Sequence, residues 1–439
     1  MGLIEKRRIA VTGIGLVTPV GNDAPSTWEA LQAGKSGAAQ ITNFDASGFS
    51  TTIGAEVKDF DFENAGPCKK LLKGASRSHS FALAAAAEAL EDAGIAPTDE
   101  DSHRWGLAVG AGMMSVAYDD LKVVHDYATD DDGNFQPDGL MDPDFPANPI
   151  NFCRWQSNSG LSILTKAFGI RGYATSVHTA CASGGQAIGS ALKALRRGQC
   201  DKVLAGGFDS MLNPIGISGF CLLGALSTDN DNPTGASRPF DKTRNGFVLG
   251  EGAGFLVLED WDAAKARGAK IYAELGGDGN SLSCYRITDS PPDGNGPIQA
   301  IEQALRDAGI TANDVDYINA HGTSTQMNDR SECAAMNAIF GHRIDEVSVS
   351  STKSSMGHLI AAAGAVEAAV CCLAIRDSIA PVNANYQNPD PVCDVNLVTG
   401  EAKSVKIRAA LSNSLGFGGS NSSLVFLNPS DLNPKEVAS

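Results

Sequence analysis

Basic residues are scarce in this chain of 439 residues: 34 Lys and Arg stand against 51 Asp and Glu, a formal net charge of -17. That balance excludes nucleic acid as a general partner, because phosphate binding needs a basic surface that releases counterions. The ten cysteines include no CxxC pair, which argues against a zinc site and for a reducing, cytoplasmic compartment. Long apolar runs are missing too. The most ambiguous segment, Leu359 to Ile375 "LIAAAGAVEAAVCCLAI", carries Glu367 and stops short of a membrane span. Its alanines and glycines predict a buried central helix instead. Met1 to Arg8 is polar and basic, and the apolar stretch after it is broken by Thr12, Gly13, Gly15 and Pro19. No signal peptide is expected there. Glycine loops are plentiful, but none forms a P-loop or a convincing GxGxxG after a strand.

What is present reads as a folded enzyme: 43% of residues are hydrophobic, 19% charged, and 48 are glycine. The length predicts two domains or two fused halves. "EALEDAGIAPTDED" from Glu88 matches "QALRDAGITANDVD" from Gln303, each a helix stopped by glycine, Gly94 or Gly309. A short apolar strand follows each copy, "GLAVGAG" (106 to 112) and "DYINAHG" (316 to 322). Each half then runs from a loop into a long helix of small residues, from Cys181 to about Arg197 and from about His358 to Ile375. The chain therefore reads as an internal duplication of α/β halves stacked in layers, with a first half at 1-262 and a second at 263-439. Tyr127 to Asn151, rich in Asp, Pro, Gly and Asn, predicts a long surface loop.

Cys181 in "HTACASGG" opens its helix, where free N–H groups and the helix dipole favour thiolate over thiol. The plain alternative is a small buried hydrophobe, since free cysteine is among the most buried residue types. His321 ends an apolar strand in "NAHGTST", and His358 opens the second buried helix in "KSSMGHL". The duplication predicts that all three converge between the halves. "NSLGFGGSN" (413 to 421) supplies a glycine turn between strands at 408 to 412 and 423 to 427. The amides of Cys181 and Phe417 are the candidate oxyanion-hole donors. A papain-like protease would also pair Cys with a later His, but that family's Cys-Gly-Ser-Cys-Trp context is absent.

The chain resembles the β-ketoacyl-[acyl carrier protein] synthases, the elongating type II branch of the thiolase superfamily. The resemblance rests on "RIAVTGIGLVTPVGN", "TACASGG", "ASRPFDKTRNGFVLGEGAG", "NAHGTSTQMND", "KSSMGHLIAAAGAVEA" and "SNSLGFGGSNSSLVF", in that order along nearly the whole chain. It implies a thiolase-like fold of duplicated halves in a five-layered αβαβα arrangement. It also implies a Cys-His-His triad at Cys181, His321 and His358, with a buried Lys353–Glu332 ion pair behind the histidines. Cys181 would accept an acyl group from a carrier protein and pass it to malonyl carrier protein with loss of CO2, His321 and His358 acting as neutral N–H donors to the enolate. Thr323 and Thr325 would bind the pantetheine arm, Phe417 would gate the malonyl pocket, and Met113, Phe220 and Leu415 would shape the acyl path. The resemblance implies no resident cofactor and no metal, the phosphopantetheine arriving on the acyl carrier protein. It implies a homodimer, with a heterodimer as the variant, and no membrane.

Several positions depart from the family pattern. Leu415 replaces a common aromatic, and His178 stands where small or aliphatic residues are usual. Gly224 and Asp229 replace expected basic residues, and Asp130 to Asp144 is acidic where related loops tend to be basic. Lys69, Lys70, Lys73 and Arg77 remain as the expected carrier-docking patch, alternatively a solvated helix face. The alternatives in function are a chain-length-factor-like partner without catalysis, and a CoA-dependent thiolase-like enzyme.

Overall fold

The computed structural model describes residues 6–112, 118–146 and 148–431. Strands β1 (Ile9–Val17), β2 (Trp105–Ala111), β3 (Ala174–Val177), β4 (Lys202–Ser210) and β5 (Glu251–Asp260) come from the first half. Strands β6 (Ala273–Leu282), β7 (Tyr317–Asn319), β8 (Ser348–Ser350), β9 (Ala409–Leu415) and β10 (Ser420–Leu427) come from the second. Together they form one sheet in the order β8-β7-β9-β10-β6-β1-β5-β4-β2-β3. Each half follows the same plan. From the outer edge inward come two parallel pairings, β3 with β2 and β2 with β4 in one half, β8 with β7 and β7 with β9 in the other. Two antiparallel pairings follow, through β5 to β1 and through β10 to β6. The halves meet in a short antiparallel seam, Ala10 opposite Glu274 and Val11 opposite Ala273.

The duplicated helices take equivalent places. Helix α1 (Arg77–Ala93) covers β1 and β5, and α4 (Asn295–Ala308) covers β6 and β10, once α2 (Ser183–Arg196) and α3 (Pro214–Leu222) have been passed in the chain. Helices α1 and α4 stop at Gly94 (φ 65°) and Gly309 (φ 70°), where a left-handed residue costs glycine little. Helix α5 (Gln326–Phe340) packs on α4, and α6 (Ala363–Asp377) lies with α2 between the two sheet halves. The result is five layers, αβαβα.

The central layer decides where chemistry can occur. Leu359–Ile375 is buried throughout, as a 3-10 turn (Ile360–Ala362) followed by α6; no helix among the described residues is long and apolar enough to cross a membrane. Helices α2 and α6 touch through glycine. A Cβ on Gly184 would lie 2.7 Å from Ala365 N, and one on Gly364 would lie 2.8 Å from Gly185 N. Such contacts tolerate no side chain and bring the two helix starts together. Each start is entered through a non-glycine residue with positive φ, Ala180 (51°) and Ile360 (46°), a conformation that L residues adopt only at a cost.

Residues 127–151 are not one open loop. They contain the end of a helix (Tyr118–Ala128), a 3-10 turn (Pro137–Met141) and the start of a helix (Pro149–Arg154). Asp120 ties their base together, accepting from Asn151 Nδ2 at 2.7 Å and Trp155 Nε1 at 3.0 Å and pairing with Arg154.

Candidate active site

Cys181 lies in the 3-10 turn Ala180–Ala182 that leads into α2, and is 5% exposed. The sequence predicts a lowered thiol pKa at this helix start; the structure reverses the direction. Burial pushes the Cys181 thiol up to about 11, against smaller opposing effects from the Lys353 charge and the backbone N–H groups of Phe417 and Cys181. Removing a thiolate from water outweighs the partial charge of a helix end. Those two N–H groups face the sulfur.

His358 Nε2 is 3.0 Å from Cys181 Sγ. Its Nδ1 accepts from Ile360 N at 3.2 Å, so the ring proton resides on Nε2 and points at the sulfur. His321 follows the end of β7, its ring centroid 5.2 Å from that of His358. The ammonium of Lys353 donates to His321 Nδ1 at 3.2 Å, which places the His321 proton on Nε2 as well. Burial, and then the Lys353 charge, hold both imidazoles well below their ordinary pKa. They are neutral N–H donors at physiological pH.

The carboxylate behind this pair is not the one the resemblance implies. Lys353 Nζ pairs with Glu367 on α6, both fully buried. Glu332 on α5 instead accepts from the backbone N–H groups of His321 and Gly322, each at 2.8 Å, and from Asn413 Nδ2 at 3.2 Å. Glu332 therefore fixes the main chain that carries His321, while Lys353 fixes its ring. The signal for Glu367 was in the sequence: a lone charge in an apolar buried helix demands a partner.

Two further residues escaped the sequence reading. Arg244, fully buried, donates to Asp390 at 2.6 Å, Thr325 O at 3.1 Å and Gln326 O at 3.2 Å. It holds the loop that presents Thr323 and Thr325, whose hydroxyls lie 2.9 Å apart on the cavity wall. Asp209, at the end of β4, accepts from Ser210 N at 2.8 Å and from Ala361 N at 3.0 Å, tethering the start of α6. Burial raises its carboxyl to about 7.

The triad opens on a cavity of about 940 Å³ walled by Met211, Ile215, Phe220, Phe247, Leu415 and Phe417. Phe220 stacks edge-on to Phe247 and lies 6.4 Å from Phe417 between ring centroids. His178 is on the same wall, its Nε2 held by Ser176 Oγ at 2.8 Å. Met113 lies outside the described residues. Lys69, Lys70 and Lys73 are exposed, and none lines the cavity. Arg77 does not belong with them: it makes a two-pronged pair with the buried carboxylate of Glu251, at 2.6 and 2.8 Å, over the rings of Phe62 and Phe81. A guanidinium spent on an internal carboxylate is not free to dock a carrier. Asp229 is likewise engaged, with Arg238.

Two duplicated halves, a cysteine at one central helix start, and two neutral histidines facing it define the class: condensing acyltransferases of thiolase-like fold. The chain belongs to the β-ketoacyl synthase family. The N-terminal domain of that family matches residues 6–264, and its C-terminal domain matches residues 272–387. Relatives include the 3-oxoacyl-[acyl-carrier-protein] synthase 2 of Coxiella burnetii, 42% identical over 96% of this chain and 99% of that one. The protein of the same description from Vibrio harveyi is also 42% identical, with the same coverage. Among solved structures, a type II PKS acyl-carrier protein in complex with its ketosynthase, bound to the hexaketide, superposes with a TM-score of 0.86. It shares 33% identity and covers 98% of this chain and 100% of that one. A β-ketoacyl synthase from Burkholderia phymatum gives 0.86 at 31% identity, over 96% and 99%.

Proposed function

We propose that this protein extends acyl chains by two carbons in fatty-acid-type synthesis, using malonyl-acyl carrier protein as the extender. The observation that carries the reading is the contact of His358 Nε2 with Cys181 Sγ beside a neutral, Lys353-held His321, all facing one apolar cavity. In the first half-reaction the Cys181 sulfur attacks the thioester of an acyl carrier protein. The new S–acyl bond forms as the old one breaks, and the thiol proton ends on the departing pantetheine sulfur. The N–H groups of Cys181 and Phe417 bind the oxyanion formed on the way.

In the second half-reaction the malonyl thioester carbonyl sits between the two imidazole N–H groups. Loss of CO2 leaves its electron pair as an enolate that those donors stabilise. The enolate carbon attacks the acyl-enzyme, the C–S bond to Cys181 breaks, and the sulfur takes up a proton. Thr323 and Thr325 hold the pantetheine arm, which the carrier supplies, and Phe417 stands between cysteine and malonyl site. Two copies pair along β3, whose outer edge is unpaired among the described residues; light scattering reads that state. The ten free cysteines fit a cytoplasmic location.

Intact-mass measurement after incubation with octanoyl-acyl carrier protein tests the core of the reading. One acyl addition is expected on the wild type and none on Cys181→Ala, with CO2 released when malonyl-acyl carrier protein follows. An unmodified wild-type protein overturns it. A chain-length-factor-like role would survive Cys181→Ala, and a thiolase-like enzyme would turn over with acyl-CoA and acetyl-CoA.

A further inference from the structure

The lining of the catalytic cavity carries little charge. No Lys or Arg lines the cavity among the described residues, and its one carboxylate, Asp289, faces Arg286 at 3.5 Å. On one side of the opening α3 ends at Leu222, and Gly224, two residues on and left-handed (φ 62°), closes its N–H on Cys221 O. That stop leaves Leu222 87% and Leu223 54% exposed. Ile287, also on the cavity wall, is 81% exposed. Its carbonyl accepts from Gly418 N at 2.6 Å, which pins it beside the Phe417 turn. A single exposed leucine means little, but Leu223 and Ile287 on the cavity wall, with Leu222 exposed beside Leu223, mark a surface that a partner covers.

From this rim we infer that the carrier docks through apolar contacts, its docking face presenting aliphatic side chains to Leu222, Leu223 and Ile287 rather than carboxylates to a basic patch. The inference rests on the function proposed above, because the occupant is fixed by the route: a pantetheine arm that reaches Cys181 passes this rim, and the protein that bears the arm sits on it. The charge balance points the same way. With a net charge of -17, no cation on the cavity lining among the described residues, and the neighbouring Arg286 facing Asp289, long-range attraction of an acidic partner has little local source. Apolar contacts at the centre of the interface then supply the affinity. Binding of this kind is insensitive to salt, whereas docking on exposed lysines weakens as salt screens it.

The test compares acyl transfer to Cys181 from octanoyl-acyl carrier protein with transfer from octanoyl-pantetheine, which has no carrier. The kcat/KM ratio of the two donors should change less than about twofold between low and high salt. It should fall about tenfold in Leu222→Asp and hold in the double variant Lys69→Glu/Lys70→Glu. The reverse pattern, a ratio that collapses with salt and with the lysine changes but not with Leu222→Asp, overturns the inference and assigns docking to the basic helix. Transfer from the pantetheine thioester with none from the carrier also overturns it. A wild-type enzyme that takes octanoate from neither donor overturns the proposed function itself.

Discussion

The ammonium of Lys353 stands 3.2 Å behind His321 Nδ1 and is held on its other side by Glu367 of the buried helix α6. One cation thereby fixes the tautomer and orientation of the His321 ring, which burial and then that charge keep neutral. Such a pair stabilises little on balance but is costly to break singly.

Glu367→Gln leaves that ammonium buried without its counter-charge and should cost about 3–5 kcal/mol, read by denaturant unfolding. The double variant Lys353→Met/Glu367→Leu should recover most of that loss while CO2 release from malonyl-acyl carrier protein stays low. Recovery of both stability and CO2 release would contradict the positioning role.

Because burial holds the Cys181 thiol near pKa 11, only a small thiolate fraction exists at neutral pH. Alkylation of Cys181 by iodoacetamide, followed by mass, should accelerate about tenfold per pH unit between pH 7 and pH 9. A plateau below pH 8 would show a pre-formed thiolate.

Asp209, raised to about 7, is protonated in the folded protein at pH 5 and must ionise in a dry site as pH climbs. Its contribution to stability is therefore present at low pH and is lost as pH rises through 7. Asn at this position does not titrate. The Tm deficit of Asp209→Asn relative to wild type should shrink by a few degrees from pH 5 to pH 8. A deficit that widens over that interval would refute the assignment.

Ala180 holds φ at 51° directly before Cys181. Ala180→Gly should relieve that strain, with stability unchanged or raised by up to about 1 kcal/mol, yet slow the acylation of Cys181 by loosening the turn that aims its sulfur. Faster acylation would show that the strain has no positioning role.

The duplication was legible because it is written locally: two Asp-Ala-Gly-Ile helix stops and two helices of small residues, which the fold places equivalently. Cys181, His321 and His358 were legible for the same reason, each at an element end in a loop of small residues. A buried partner for Glu367 was to be expected, but which acid meets Lys353 was not legible. Glu332 and Glu367 are both buried acids in the second half, and only the packing of α6 over the turn after β8 decides which meets the ammonium. The elevated thiol pKa escaped for a related cause, since burial depends on the other half of the molecule while helix position can be read from a short stretch. Arg77 looked like its lysine neighbours until the fold brought Glu251 of β5 beneath it.

β10 is the latest strand in the chain among the described residues, yet it lies inside the sheet, between β9 and β6, and the Phe417 turn immediately precedes it. A growing polypeptide thus exposes Cys181 long before the second half can bring both histidines and the Phe417 turn to it. The site is assembled only when β10 is inserted between β9 and β6. A chain that has not yet inserted β10 therefore carries Cys181 without the Phe417 turn that faces its sulfur.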